Sequence, residues 1–555
     1  MSGGFSATGQ SGDFHYLVEF LLDSTTLNYA DEDLSLRDGA VTGAFYSGRL
    51  PPEGTLTRTL GTFIEPRESV DAFDVPLDNS DNSLAELINN STFANREVRI
   101  WLGEGNNKAN YSRVFTGFVA HPNGISWDER QARFTVIDKR IKDRKVLPLA
   151  ASKFTTDVFP NIEKKNKATP IPIVYGNWSS LAASGVSIPC VCTDQRATGS
   201  SFQFASHGIK SVDRFLKNAS VLTGRSGAAN SVKPVSLATA TFDISGYAYN
   251  ATSDTVSVNC QGLQSANSTL YELPGDILRN LLTSYLGLTT SDINGSSFNE
   301  LSTKTSGVSC RRFIKTETAS DTVITELLNE TQIDLRFVNG QYDPKFRKLD
   351  SSSTRTDYQE SDIVLIDEDN EQADFNVTYD PDRFYTNQIP ANYQYDPIDA
   401  KFLNATTLNN TSAILRDEAT VERVMNFYWL FDKTIVENRI RRELVVFSTE
   451  PPSIDLTLTR RAMLKNLGDQ VDITYNIFDN NSFQIRRMET NLGTMTTRIQ
   501  AYDIFTDSWG GWAADGSPAW AAASINQRQD QGFWCDALGR ADPADANSDL
   551  SKWYG

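Results

Sequence analysis

The chain has 555 residues, with 52 Lys and Arg against 70 Asp and Glu, a formal charge of −18. Thirty Phe, 19 Tyr and 9 Trp exclude wholesale disorder, and at about 100–200 residues per domain the length calls for several domains. No run approaches the ~18–20 apolar residues of a membrane span, the acidic balance argues against a general nucleic-acid binder, and the scattered Cys190, Cys192, Cys260, Cys310 and Cys535 fit a reducing compartment better than a disulfide scaffold.

Residues 1–14 carry neither a charged n-region nor an apolar h-region, so no signal peptide is expected. From Tyr16 to about Asp138 the chain reads as a β-meander. Val98, Ile100 and Leu102 alternate with Arg99 and Trp101; Val114, Thr116 and Phe118 with Phe115 and Val119; Ala132, Phe134 and Val136 with Arg133, Thr135 and Ile137. Period-2 runs separated by Gly, Asn and Pro turns indicate an antiparallel barrel or sandwich. A short helix over 83–89, with Leu84, Leu87 and Ile88 on one face, interrupts it.

A basic segment follows. Between Lys139 and Lys167 nine Lys and Arg face three acids, a local +6 in an acidic chain. It is either an exposed linker face or a patch that docks on an acidic neighbour, with complementary charge setting register; Lys139, Arg140, Lys142, Arg144 and Lys145 are its densest part. The run Thr169-Pro-Ile-Pro-Ile-Val-Tyr-Gly176 is extended, and its prolines place it at an edge or between domains. Residues 177–260 read as a second β region with weak strands.

Helical signals concentrate in the middle. Over 276–286, Ile277, Leu278, Leu281, Leu282 and Tyr285 form one stripe that stops at Gly287. A second helix starts near Thr318-Ala-Ser-Asp321 with a capping-box-like sequence and buries Val323, Ile324, Leu327 and Leu328. Ile333, Leu335 and Phe337 then alternate into Asn339-Gly340, a strong hairpin signal.

Strands return at 363–366, 375–379 and 391–395. A mixed segment over 413–440 is expected to be helical. A further β unit spans about 453–505, with Asn480-Asn481 as its turn. From Trp509 onward the chain holds Trp509, Trp512, Trp520, Trp534 and Trp553 with little periodicity. Such aromatics, without a local core, are expected to dock on a surface of this chain or of a partner.

The resulting fold class is mainly β with an α+β middle. It is multidomain, with antiparallel barrel or sandwich domains, a helix–hairpin unit and an extended C-terminal arm. The boundaries are 1–145 for a β-barrel unit, 146–260 for the basic linker and second β region, 261–360 for the α+β unit, 361–507 for a second barrel-like unit, and 508–555 for the Trp-rich arm.

Motifs for catalysis are missing from the sequence. His15, His121 and His207 lie in no metal-ligand spacing, and HExxH, GxSxG, GxxxxGK[ST] and GxGxxG are not found. Cys190-Val-Cys192 lacks two further ligands, so structural or free thiols are expected. Asp367-Glu-Asp-Asn-Glu371 lacks the Gly and distal Glu of a Ca²⁺ loop and reads as a solvated acidic turn. Asp542, Asp545 and Asp549 leave Ca²⁺ binding open. No catalytic residue, cofactor or metal is assigned, and the expectation is a non-enzyme.

Three stretches taken in order resemble the tail-tip or baseplate hub proteins of tailed bacteriophages. They are Arg96-Glu-Val-Arg-Ile-Trp-Leu-Gly103 leading to Val114–Val119 and Ala132–Asp138; the helix and Asn-Gly hairpin from Thr318 to Tyr342; and Ile454–Thr459 followed by Leu467–Tyr475 and 499–503. The resemblance covers about two-thirds of the chain. It implies two tail-tube-like barrel domains per subunit and a homotrimer whose ring presents a quasi-sixfold face to a hexameric tube. The implied neighbours are the distal tail protein, the tape measure protein and tail fibre or receptor-binding proteins. The implied location is the virion tail tip, after assembly in the host cytoplasm and without stable membrane insertion. Genomic DNA would pass without being bound, and three copies would carry −54, which opposes sticking.

On this reading the chain is a structural virion protein: a trimeric tail hub that closes the tube, anchors the tip and serves host attachment and DNA ejection. The alternatives are a hexameric distal tail adaptor, a glycan-binding receptor-recognition tail protein with its platform near Trp509–Trp534, and a carboxylate-dependent cell-wall hydrolase.

Overall fold

The alternating runs at 98–102 and 132–136 fall in one sheet, on either side of Ser112–Val119, and the pairings that join them are antiparallel. The computed structural model describes residues 14–38, 41–51, 54–61, 68–70, 72–141, 143–196, 199–222, 231–232, 236–347, 355–367, 372–379, 384–503, 511–512, 531–535 and 552–554. The chain is mainly β, spread over several sheets. In the first sheet the order is Ile125–Trp127, Gln131–Asp138, Ser112–Val119, Glu97–Glu104, Phe14–Leu21, Thr26–Ala30, Val41–Gly48 and Leu34–Asp38, and Phe73–Asp78 also pairs with Gln131–Asp138. The two end strands do not pair with each other, so among the described residues this sheet is open rather than a closed barrel. Val98, Ile100, Leu102, Ala132, Phe134 and Val136 are all buried. Phe134 lies 4.8 Å from Phe20 and 5.0 Å from Phe93, ring to ring. The helix Ser83–Asn90 covers this core with Leu84, against which Leu87 and Ile88 pack.

Strict alternation fails at 114–119. Burial runs unbroken from Val114 to Gly117, and Phe118 is half-exposed. The cause is a register shift between Ile100 and Trp101, which face Phe115 and Arg113. An extra residue in one strand of a pair re-aims the side chains that follow.

Thr55–Leu60 leaves this first unit altogether. It pairs antiparallel with Phe478–Asn491, setting Arg58 opposite Met488, and Glu68–Val70 adds to its other side. The final sheet therefore contains strands from both ends of the chain: Thr356–Gln359, Gln470–Tyr475, Phe478–Asn491, Thr496–Tyr502, Pro452–Leu458 and Phe375–Tyr379, plus the two early strands. Its hairpin turns at Asn476-Ile477, with Tyr475 facing Phe478, not at the expected Asn480-Asn481. Asn480 instead has a left-handed φ of 58° inside the bulged strand. Asn tolerates that region, so the same dipeptide serves a bulge as readily as a turn.

The extended run at 169–176 supplies Ile173–Tyr175, which pairs with Arg312–Ile314. Ile173 and Tyr175 enter the core of the α+β unit and Val174 enters that of the second β region. That region holds two four-stranded sheets around Trp178, Phe202, Phe204 and Phe242. The first expected helix spans Pro274–Asn280 and continues as a wider turn, Leu281–Tyr285, to Gly287 at φ +82°. The second is Ser320–Glu330, but no side chain caps it. Its start is held by backbone instead, because Thr318–Ala319 pairs with Val146–Leu147. A helix at Gly295–Lys304, not foreseen in the sequence, lies between them. The stretch expected to be helical at 413–440 divides into the helix Thr411–Asp417, a strand Met425–Asn426 and the start of the helix Lys433–Phe447. This last helix shares a core with the strand Gln388–Asp396 through Val436, Ile440, Leu444, Ile389 and Ala391.

Candidate assembly interface

The basic segment enters the fold at the junction of three units, and its cations meet carboxylates of the same chain. Lys139 Nζ donates to Asp292 at 2.8 Å, Arg144 Nε pairs with Asp321 at 2.7 Å, and Lys153 Nζ with Glu317 at 2.5 Å. Lys145 Nζ donates to the Tyr285 carbonyl at 3.2 Å. All four partners lie in the helical middle, so the acidic neighbour met here is residues 285–321. Lys142 lies outside the described residues. Arg140 is different in kind. It is 4% exposed, its Nε donates to both Asp138 oxygens at 2.9 Å, and Glu68 lies 3.9 Å away.

Behind this segment lies a buried charged junction. Glu68 accepts from the Phe337 amide at 2.6 Å, tying the early strand Glu68–Val70 of the final sheet to the hairpin Ile333–Val338/Gln341–Phe346. Across that hairpin Arg336 pairs with Asp343, and it reaches Asp469 of the final sheet at 2.9 Å. Asp334 is fully buried. It accepts from Arg347 Nη2 at 2.8 Å, Arg486 Nη1 at 3.1 Å and Gln484 Nε2 at 3.2 Å. Arg486 Nη2 also donates to the Gly61 carbonyl at 2.8 Å, and Arg58 Nη2 to that of Lys465 at 2.8 Å. Burial acts to raise the Asp334 carboxyl, and Arg347 and Arg486 overcome it, holding the group below its ordinary value. Burial likewise opposes Asp469, which Arg336 and Lys345 hold low.

Charges this deep stay ionised only when each is paired and hydrogen-bonded. The network therefore locks the relative placement of the first sheet, the hairpin and the final sheet. What the arrangement offers is a rigid frame. Among the described residues no group of three or more His, Cys, Asp or Glu is placed to hold a metal. The thiols of Cys190, Cys260 and Cys310 are raised well above their ordinary range, chiefly by burial.

The sequence reading did not single out Asp334, Arg336, Arg347 or Arg486. A signal for one of them, Arg336, existed. With Asn339-Gly340 as a two-residue turn, Arg336 must face Asp343. Of the aromatic arm, Trp509 and Trp520 lie outside the described residues. Trp512 pairs through its backbone with Gly532, and Trp534 stands opposite Trp553 in a second short ladder. The arm's described backbone is thus paired within itself.

No protein-family model matches the chain, and no curated protein matches it. Among solved structures the chain shows a distant likeness to the following. A chain of the virion of a native gene transfer agent particle is 10% identical, covering 62% of this chain and 88% of its own, with a TM-score of 0.41. The 43 kDa tail protein of prophage MuSo2 from Shewanella oneidensis is 9% identical over 89% of this chain and 99% of its own, with a TM-score of 0.39. A tail protein from Neisseria meningitidis MC58 is 9% identical over 88% and 96%, with a TM-score of 0.40.

Proposed function

We propose that this chain is a non-enzymatic structural subunit of a phage tail: a trimeric hub that closes the distal end of the tail tube and anchors tip proteins. The observation that carries the reading is the strand Thr55–Leu60, which belongs in sequence to the first β unit and in space to the last. It joins the two β units into one body. The resemblance at the sequence level implies two tube-like domains per subunit lying side by side in a ring, and a subunit built that way must fix one domain against the other. The shared strand and the buried charges around Asp334 supply that fixation. The first and third stretches that carry the resemblance fall in these two β units, and the second is the helix and hairpin wedged between them.

A hub encloses the path of the genome, and a net charge of −18 per copy disfavours DNA adhesion. Symmetry in images of intact tails tests the proposal. Threefold copies at the distal end support the hub, and sixfold copies favour the distal adaptor instead. Zymography on cell-wall substrate is expected to be blank; a cleared band would restore the hydrolase reading. Glycan-array binding that disappears on removing residues 509–555 would favour receptor recognition.

A further inference from the structure

Among the described residues, the three-stranded sheet of Lys401–Asn409, Gln388–Asp396 and Met425–Asn426 packs one face on the helix Lys433–Phe447. Ile389, Ala391 and Tyr393 point into the core shared with the helix Lys433–Phe447. Register puts Pro390 opposite Thr407 and Asn392 opposite Ala405, with Asn426 beside Asn392, and all of these face away from the helix. Leu403 and Val424 complete the outward face at 37% and 54% exposure. Its inner part carries no charge. Ionic groups sit at its corners, where Glu422 accepts from Gln388 at 3.0 Å and Lys401 pairs with Asp399 at 2.8 Å.

The edge of this sheet is equally unprotected. Lys401–Asn409 is a nine-residue strand paired on one side alone among the described residues. Free edges are normally blunted by charge, proline, bulges or short length, since an open ladder templates pairing with another chain. Lys401, at one end, is the strand's one charged residue.

We propose that this face and its open edge are buried against another copy of the same chain. Identity of charge is the argument for that occupant. Two copies at −18 each repel over most of their surfaces, and a face without charge is where a second copy meets the least repulsion. A patch neutral at its centre and ionic at its rim has the composition of a protein–protein contact. A strongly basic partner would instead select an acidic face. The inference rests on the reading of the chain as a repeated subunit, and it names the surface through which the copies meet.

Mass photometry of the full-length chain, with far-UV circular dichroism as the folding control, tests it. The pair A405E/V424E places like charges on an outward face, and A405Q/V424Q matches it in size without charge. The expected result is an associated wild type, an associated glutamine variant and a monomeric glutamate variant, all with the same dichroism. A glutamate variant that associates like wild type overturns the proposal and leaves the hub reading standing, as does loss of association in both variants alike, which would remove the charge argument. A wild type that stays monomeric up to micromolar concentration also overturns it. Sixfold copies in tail images, with the glutamate variant still dissociating, would remove the trimeric hub alone.

Discussion

Arg336 and Asp343 stand directly opposite each other across the hairpin closed by Asn339-Gly340, and Asp469 from the final sheet reaches the same guanidinium at 2.9 Å. One face of Ile333–Val338 carries Ile333, Leu335 and Phe337 into an apolar core, and the other carries Asp334 and Arg336 into the charged junction. The strand is buried on both sides. A single hairpin thus couples hydrophobic packing in the middle of the chain to ionic fixation of the two β units.

Removing the centre of that junction should be costly. Asp334→Asn leaves Arg347 and Arg486 buried without their shared counter-charge, a loss of about 3–5 kcal/mol. The triple replacement D334L/R347M/R486M should cost much less, because apolar side chains of similar size need no partner. Denaturant midpoints with unchanged m-values check both. A D334N midpoint within error of wild type would show that the pairs do not couple the units.

The hairpin turn gives a second expectation. Asn339 and Gly340 both have left-handed φ, 51° and 76°. A Cβ on Gly340 would collide with the Arg113 guanidinium, which donates to the Asn339 carbonyl. Gly340→Ala should therefore destabilise by more than about 1 kcal/mol, whereas Gly295→Ala, at a helix start with open space around it, should be neutral or mildly stabilising. Thermal melts of the two variants make the comparison.

Two buried glutamates set opposite pH slopes. Burial acts to raise Glu443, but Arg439 at 2.5 Å and Arg423 at 2.6 Å overcome it and bring the group from 4.5 to about 2. A depressed folded value contributes stability above pH 4.5 that is lost as pH falls toward 2. Glu330 ends the helix Ser320–Glu330 and accepts from the amides of Tyr428, Trp429 and Leu430 at 2.8, 2.8 and 3.2 Å. Burial pushes it up to about 8 against those donors. Between pH 4.5 and 8 the folded state holds a proton that the unfolded chain has lost, so stability falls across that window and is flat above it. Glu443→Gln should flatten the acid limb, and Glu330→Gln the limb from 4.5 to 8, in melting temperatures measured from pH 2 to 9.

Much of this architecture was legible in the residues. Period-2 burial at 98–102 and 132–136, the stop at Gly287 and the turn at Asn339-Gly340 each follow from local chemistry that tertiary packing did not override. What stayed hidden depends on distance in sequence. Thr55–Leu60 alternates like any strand, and nothing local says that its partner is 487–491. The bulge at Val114 and the positive φ of Asn480 turn on the pairing strand, not on the residues themselves. The charged junction was readable only in its hairpin half, where the turn fixes Arg336 against Asp343. Its other half requires knowing that Arg486 arrives from another unit.

The basic segment separates into fixed and accessible cations, and a pair of substitutions distinguishes them. Arg140 is bound to Asp138 inside the junction and Glu68 is close by, so Arg140→Ala strands two buried carboxylates and should cost about 3–5 kcal/mol. Arg144, with its side chain 59% exposed, meets Asp321 at the surface; Arg144→Ala should cost about 0–1 kcal/mol, and less in high salt. Chemical denaturation at low and high ionic strength reads both. If the segment also docks on a tail partner, Arg144→Ala should weaken incorporation into tails while leaving the midpoint almost unmoved, because rim charges act on association more than on folding. Equal incorporation of wild type and Arg144→Ala in a complementation assay would confine Arg144 to the chain's own framework.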